Sequence, residues 1–415
     1  MKITGRTSFH LAALAMLLLG SLLSSCKENI STIGSDYVSD SVFRGSSSLA
    51  DASVLRLSSF VKPTVSSEGR SYNSNHSSPY LFIGQVASEG LSAWPVLKLP
   101  FLQDSVGQLL DDTLKLHMSN AFYYGTSGST TIEFDIYISN TVSDSMASIS
   151  ASDLVGAPIA HYSGIVAADS VLNLALQLDT ARLFPALRTT QLSLVLVPSA
   201  NMSTIRAFAS NENGSASLQP TLQLLAFSTA GNYTTTRIPE YDFHVAQETQ
   251  TPPTGTFELR GSVGRRERIV IDTRQLRTQL GLGPFATINS GLLTLFTDPT
   301  QHTFGSVPTD SSLPALIYRD SLTADSIAAI ASYGSRSTTD ANAINYQIRT
   351  LIEYAVRHSV DSVVLEVQTG YASRAFGGTA IFVEDYNVNR WICYGQDALD
   401  PTKRPRLTIA FSYLK

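Results

Sequence analysis

The chain has 415 residues, with 29 Lys and Arg against 34 Asp and Glu, so its formal net charge is −5. Hydrophobic residues make up 43% and charged residues 15%, which supplies a sizeable core and excludes wholesale disorder. The mild acidity excludes a basic nucleic-acid-binding face, and two cysteines exclude a disulfide scaffold or a four-cysteine zinc site.

At the N-terminus, Lys2 and Arg6 precede an apolar run over 11–23 that is broken only by the small Gly20 and Ser21. The run is short of the roughly 20 apolar residues that a membrane-spanning helix needs. Its length and flanks are those of a secretory signal segment. It closes in Leu23-Ser24-Ser25-Cys26, which resembles the lipobox of bacterial lipoproteins. The resemblance implies that 1–25 is a signal peptide, that the mature chain starts at Cys26, and that its thiol carries the lipid. At about 0.8 kcal/mol per buried CH₂, two or more acyl chains hold a protein to a membrane where one does not. Residues 26–46 read as a polar tether, and Lys27-Glu28 is similar to the charged export signal of surface-exposed Bacteroidota lipoproteins. The location implied is the outer membrane or cell surface, with a periplasm-facing orientation left open. A lipidated Cys26 leaves Cys393 without a disulfide partner. Within Arg390-Trp391-Ile392-Cys393-Tyr394 it reads as a buried small hydrophobe, not a nucleophile.

Beyond the tether, strands dominate. Alternating or continuously apolar β-prone runs recur at 132–138, 192–197, 268–271 and 363–367, separated by Gly, Ser, Asn, Asp and Pro clusters. Helical patterns are short; the clearest is 349–358, with Leu351, Ile352, Ala355 and Val356 on one face, and 324–332 is a second candidate. A strand, a short polar-apolar stretch and a second strand recur four times: 96–99, 104–110 and 113–117; 172–178, 180–187 and 192–197; 269–272, 273–280 and 288–296; 345–348, 349–358 and 363–367. The two halves also end alike, Pro220 and Pro405 each opening a run of alternating apolar residues after a polar loop. The expected organisation is a tandem duplication. A first β-sandwich spans 47–227, a Thr/Asn/Pro-rich linker 228–255 and a second β-sandwich 256–415.

The order of features in each half resembles the secreted β-sandwich modules called DNRLRE domains, grouped with a carbohydrate-binding-module family. The matching stretches of the first half are 51–57, Leu81-Phe82-Ile83-Gly84, 94–101, Phe208-Ala209-Ser210 before Glu212, and 220–224; the second half matches from Arg268 onward. The motif letters of the family name do not occur. The resemblance implies an all-β fold of two tandem jelly-roll-like antiparallel sandwiches, non-catalytic, that bind or display.

Catalytic and metal-binding patterns are sparse. The seven histidines (His10, His76, His117, His161, His244, His302 and His358) show no helical metal spacing, and no phosphate loop, nucleophile elbow or dinucleotide fingerprint occurs. Glu133 and Asp135 share one face of a strand, the ordinary solvent face of a sandwich, and Asp111-Asp112 reads first as a turn and second as part of a structural calcium site. No catalytic residue, metal or cofactor is expected. Aromatic side chains that could pack on a sugar ring cluster at Tyr123 and Tyr124, of which at most one should be buried on a strand, and at Trp391 and Tyr394, where core packing is the default for the tryptophan. A triplet of Asp, Ser or Thr, and an aliphatic residue, Ala or Met is similar to the O-glycosylation motif of Bacteroidota exported proteins. It places candidate sites at Ser41, Ser105, Thr113, Ser145, Ser170, Thr180, Ser321, Ser326 and Ser362, and the same Asp-Ser/Thr pairs also serve as turn and helix-cap chemistry. The expected protein is a lipid-anchored envelope component whose partners are the membrane and either a glycan or an envelope protein. Its alternatives are a structural subunit of an envelope assembly or, further off, a hydrolase.

Overall fold

The computed structural model describes residues 42–49, 54–61, 64–65, 71–72, 78–101, 108–125, 130–143, 146, 148–167, 171–189, 191–228, 231–305, 313–319, 329–374, 380–384 and 388–414. The fold is all-β, built from antiparallel sheets packed as sandwiches, as the alternation of apolar residues requires. The strand Thr130–Ser139 shows the cause: Ile132, Phe134, Ile136 and Ile138 enter the core while Glu133, Asp135 and Tyr137 face outward.

In chain order, the first repeat carries β1 (Val42–Leu49), β2 (Leu55–Val61), β3 (Thr64–Val65), β4 (Ser71–Tyr72), β5 (Tyr80–Val86), β6 (Leu91–Leu99) and β7 (Gln108–Gly125). It continues with β8 (Thr130–Ser139), β9 (Val155–Val166), β10 (Leu172–Gln177), helix α1 (Thr180–Thr189), β11 (Leu192–Pro198), β12 (Thr204–Ala209) and β13 (Thr221–Ser228). The second repeat carries β14 (Gly231–Arg237), β15 (Tyr241–Glu248), β16 (Thr256–Leu259), β17 (Arg265–Asp272), α2 (Thr273–Leu280), β18 (Thr287–Phe296), β19 (Ala315–Arg319) and β20 (Ala329–Tyr333). It ends with β21 (Ser335–Arg336), β22 (Ala343–Gln347), α3 (Arg349–Arg357), β23 (Ser362–Gln368), β24 (Gly370–Arg374), β25 (Ala380–Glu384), β26 (Trp391–Tyr394) and β27 (Arg406–Leu414).

The two repeats share one strand order. In the first, β13 pairs with β7 and β7 with β10, while β6 pairs with β11 and β11 with β8. In the second, β27 pairs with β18 and β18 with β22, while β17 pairs with β23 and β23 with β19. The pair β5–β12 corresponds to β16–β26. Even a bulge is shared: the β13–β7 register shifts between Leu225 and Ala226, and the β18–β27 register between Ile288 and Ser290, at matching places in the two ladders. The corner turns Ala87–Glu89 and Gly261–Val263 also match. Each closes on a glycine with positive φ, 60° at Gly90 and 70° at Gly264, a conformation open to glycine at little cost. Helices α2 and α3 each carry the chain from one sheet to another, while α1 links β10 and β11, which pair with β7 and with β6 and β8 in one large sheet; all three fall where the recurring strand–stretch–strand pattern predicts, and in the first copy of that pattern 104–107 lie outside the described residues and 108–110 are strand. Of the other predicted helix, 324–328 lie outside the described residues and 329–332 belong to β20.

The expected domain boundaries are corrected by the strand pairing. The presumed linker 228–255 contains β14 and β15, which pair with β13 and β6 of the first repeat. The opening strands β1 and β2 pair instead with β27 and β17 of the second repeat, and β1 already begins within the expected tether. In register, β1 occupies on β27 the place that β14 occupies on β13, and β2 occupies on β17 the place that β15 occupies on β6. Each repeat therefore donates its first two strands to the other. β14 resembles a linker for a physical reason: none of its residues is fully buried, and its Asn-Tyr-Thr-Thr-Thr sequence is as polar as a loop.

Each sandwich closes over its own apolar core. The first gathers Leu97, Leu114, Phe134, Leu194 and Leu222; the second gathers Ile269, Leu293, Ile344, Leu365, Trp391 and Leu407.

Candidate functional site

The most concentrated chemistry lies in the seam between the repeats. Arg260 follows β16 and is fully buried. Its Nη2 donates to Glu89 Oε2 at 2.7 Å and its Nε to Glu258 Oε1 at 2.9 Å, while Glu248 Oε1 lies 3.6 Å from Nη2. Each carboxylate has a second partner. Glu89 accepts from the Tyr124 hydroxyl at 2.5 Å, Glu248 from Arg265 Nε at 2.5 Å and Glu258 from Arg390 Nε at 3.2 Å. Three guanidiniums thus face three carboxylates, which is the condition under which charges can be buried at all. Burial alone would raise the Glu89 carboxyl, but the Arg260 charge and hydrogen bonds hold it below the usual range. At Glu248 burial wins over Arg260 and pushes the group up to about 7. Glu89 also borders an opening of about 480 Å³ shared with Gly125, Met202 and Thr303.

A second cleft, of about 370 Å³, lies where β2 crosses the second repeat. Ser58 and Ser59 of β2, Glu267 of β17, and Gln396, Asp397 and Arg404 near the C-terminus line it. The Glu267 side chain is almost wholly buried and accepts a 2.6 Å hydrogen bond from the Ser59 hydroxyl; burial pushes its carboxyl up to about 7.

The aromatic residues singled out from the sequence do not form a platform. Tyr124 is fully buried in the charged seam with the Arg260 guanidinium 5.5 Å from its ring centre, and Tyr123, half-buried, lies under Arg206 at 5.4 Å. Only one of the pair is buried, as strand alternation requires. Trp391 is 1% exposed and packs against His302 and Phe304, with ring centres 4.9 and 5.0 Å away. Tyr124 and Trp391 therefore offer no ring face to a glycan. Tyr394 is half-buried, and its phenol is pushed upward by burial and then by the Asp298 carboxylate. Cys393 is fully buried, and burial drives its thiol far above the reactive range, in keeping with a small core residue.

Cys26, Ser41, Ser105, Ser145, Ser170, Ser321 and Ser326 lie outside the described residues. At the three remaining triplets the aspartate acts as a structural acceptor. Asp112 takes the Leu178 N–H beside Thr113, Asp179 caps α1 at Thr180 by accepting from the Ala181 N–H at 3.1 Å, and Asp361 beside Ser362 pairs with Arg277 at 3.3 Å. The outward face of β8 brings Asp135 to His161 Nδ1 at 2.8 Å and Glu133 to its Nε2 at 4.0 Å. Among the described residues no group of three His, Cys, Asp or Glu side chains could hold a metal ion. The sequence offered no signal for the Arg260 cluster, whose members run from residue 89 to residue 390.

No family model and no curated protein matches the chain. Among solved structures, the C-terminal domain of the Streptococcus pyogenes antigen I/II-family protein AspA aligns at 9% identity over 82% of this chain and 99% of that one, with a TM-score of 0.14. A structure of infectious bursal disease virus, Gx strain, aligns at 10% identity over 91% of this chain and 78% of that one, with a TM-score of 0.12. At such scores neither likeness carries an argument about fold or function.

Proposed function

We propose that the chain is a non-catalytic cell-envelope lipoprotein, anchored through lipid on Cys26, that binds or displays at the outer membrane or cell surface through two interlaced sandwiches. The observation that carries this reading is the apolar run ending in Leu23-Ser24-Ser25-Cys26. The strand pairing adds a consequence. Because β1 is sewn onto β27, the tether joins the body on the second repeat. Residues 27–41 span at most about 50 Å when fully extended, which sets the upper reach of the body above the bilayer. Cys26→Ala should remove acylation and release the protein from the membrane fraction; a variant that still sediments wholly with membranes contradicts the reading.

A glycan and an envelope protein are the two partner classes. The burial of Tyr124 and Trp391 favours the second, in which the chain is a structural subunit that packs against neighbours. A glycan-array screen of the chain from Lys27 onward decides between them: a retained glycan supports binding, and none supports assembly.

A further inference from the structure

We propose that the cleft beside β2 is a binding site for a small zwitterion of the amino-acid type, its ammonium paired with Glu267 and its carboxylate with Arg404. The buried acids of the second repeat are of two kinds. Glu258 and Glu366 each face an arginine, at 2.9 Å from Arg260 and 3.2 Å from Arg268 respectively. Glu267 is as deeply buried, yet among the described residues no Lys or Arg forms an ion pair with it; the Ser59 hydroxyl is its partner. A desolvated carboxylate without a counter-cation is costly unless something supplies one. Where the other acids meet a guanidinium, Glu267 meets space: a cleft of about 370 Å³, within the range of small-molecule sites.

The remaining lining narrows the chemistry. Asp397 adds a second acid, and Arg404, its Nε held by the Ala398 carbonyl at 3.0 Å, adds one cation. Glu267 and Arg404 complement a ligand with one ammonium and one carboxylate, and Asp397 adds negative potential that favours the ammonium. The Ser58 and Ser59 hydroxyls supply further polar contacts. The Gln396 amide ties to the backbone of β2, accepting from the Leu57 N–H at 3.3 Å and donating to the Leu55 carbonyl, so the walls of the cleft are fixed by the donated strand. The site therefore exists only because strands are exchanged between the repeats.

Isothermal titration of the full-length protein in detergent tests this with three probes: L-alanine, propionate, which lacks the ammonium, and ethylamine, which lacks the carboxylate. L-Alanine should bind, propionate should not, and ethylamine should bind about tenfold more weakly. Glu267→Gln should lower L-alanine affinity about tenfold or more. Ser58→Tyr changes an exposed strand residue and should block the cleft while leaving the circular dichroism spectrum intact. Absence of L-alanine binding up to about 10 mM overturns the proposal. So does unchanged affinity in either variant, or propionate binding as tight as that of L-alanine.

Discussion

The two strand-exchange seams have the same topology and opposite chemistry. On the first repeat, β15 buries Phe243, His244 and Val245 almost completely against β6 and its neighbours. On the second, β2 buries Leu55, half-buries Leu57 and leaves Arg56, Ser58 and Ser59 exposed beside the Glu267 cleft. One seam is closed, with the apolar Phe243 and Val245 and the polar Asp242 and His244 all buried, and the other is left open. A shared strand order thus fixes where a donated strand lies, while its side chains decide whether the seam holds the fold together or leaves room for a ligand.

The largest expected effects fall on the closed seam and on the charged junction beside it. Phe243→Ala should destabilise the protein by about 3–5 kcal/mol, since a fully buried ring is removed and its cavity is closed in by strands. Arg260→Met should cost a similar amount, about 3–5 kcal/mol, because Glu89, Glu248 and Glu258 lose their shared cation. Urea unfolding measures both, and a loss below about 1 kcal/mol for either would break the contrast drawn between the seams.

A smaller effect is expected from pH. Burial raises Glu267 from 4.5 to about 7, and raises Asp242 of β15 from 3.8 to about 8 with help from Glu212. Both are acids whose folded-state pKa lies above the unfolded value, so folding takes up protons and stability falls as pH rises through those windows. His244, lowered by burial from 6.5 to about 3, opposes this only below pH 6.5. Thermal stability should therefore rise on going from about pH 8 to 6.5. Glu267→Gln should flatten part of that slope and gain up to roughly 3 kcal/mol at about pH 8. A melting temperature that falls with acidification over this range would contradict the assignment. The smallest effect is expected at the open seam, where Leu57→Ala should cost about 1 kcal/mol, a fraction of the Phe243 loss.

Much of the fold was legible because it is written locally. The alternation of Ile132, Phe134, Ile136 and Ile138 marks β8, and the paired prolines Pro220 and Pro405 stand just before β13 and β27, which hold matching registers. The exchange was not legible. A strand's pattern says which face is buried but not which strand lies beside it, and β1 and β27 are paired across almost the whole chain. β14 carries no strand signal because both of its faces are polar, and the buried β15 lies within the same Thr/Asn/Pro-rich stretch. The sites divide in the same way. Cys393 reads correctly from its apolar neighbours, whereas Tyr124 turned out to be a buried hydrogen-bond donor to Glu89, a residue 35 positions away. Glu267 carries no local signal, since its meaning comes from Ser59 of a strand donated by the other repeat.

The reciprocal exchange itself is tested most directly by engineered disulfides. Ser48 and Thr408 are cross-strand partners with hydroxyls 3.4 Å apart, so Ser48→Cys with Thr408→Cys places two thiols within bonding reach. Had β1 stayed with its own repeat, it would lie where β14 lies, and Ser48 would face Gln223, as Thr236 does. Peptide mapping of the oxidised protein should find the 48–408 disulfide within a single chain, and none in the Ser48→Cys, Gln223→Cys variant. A 48–223 disulfide without the 48–408 one would show that each sandwich keeps its own strands and would contradict the account.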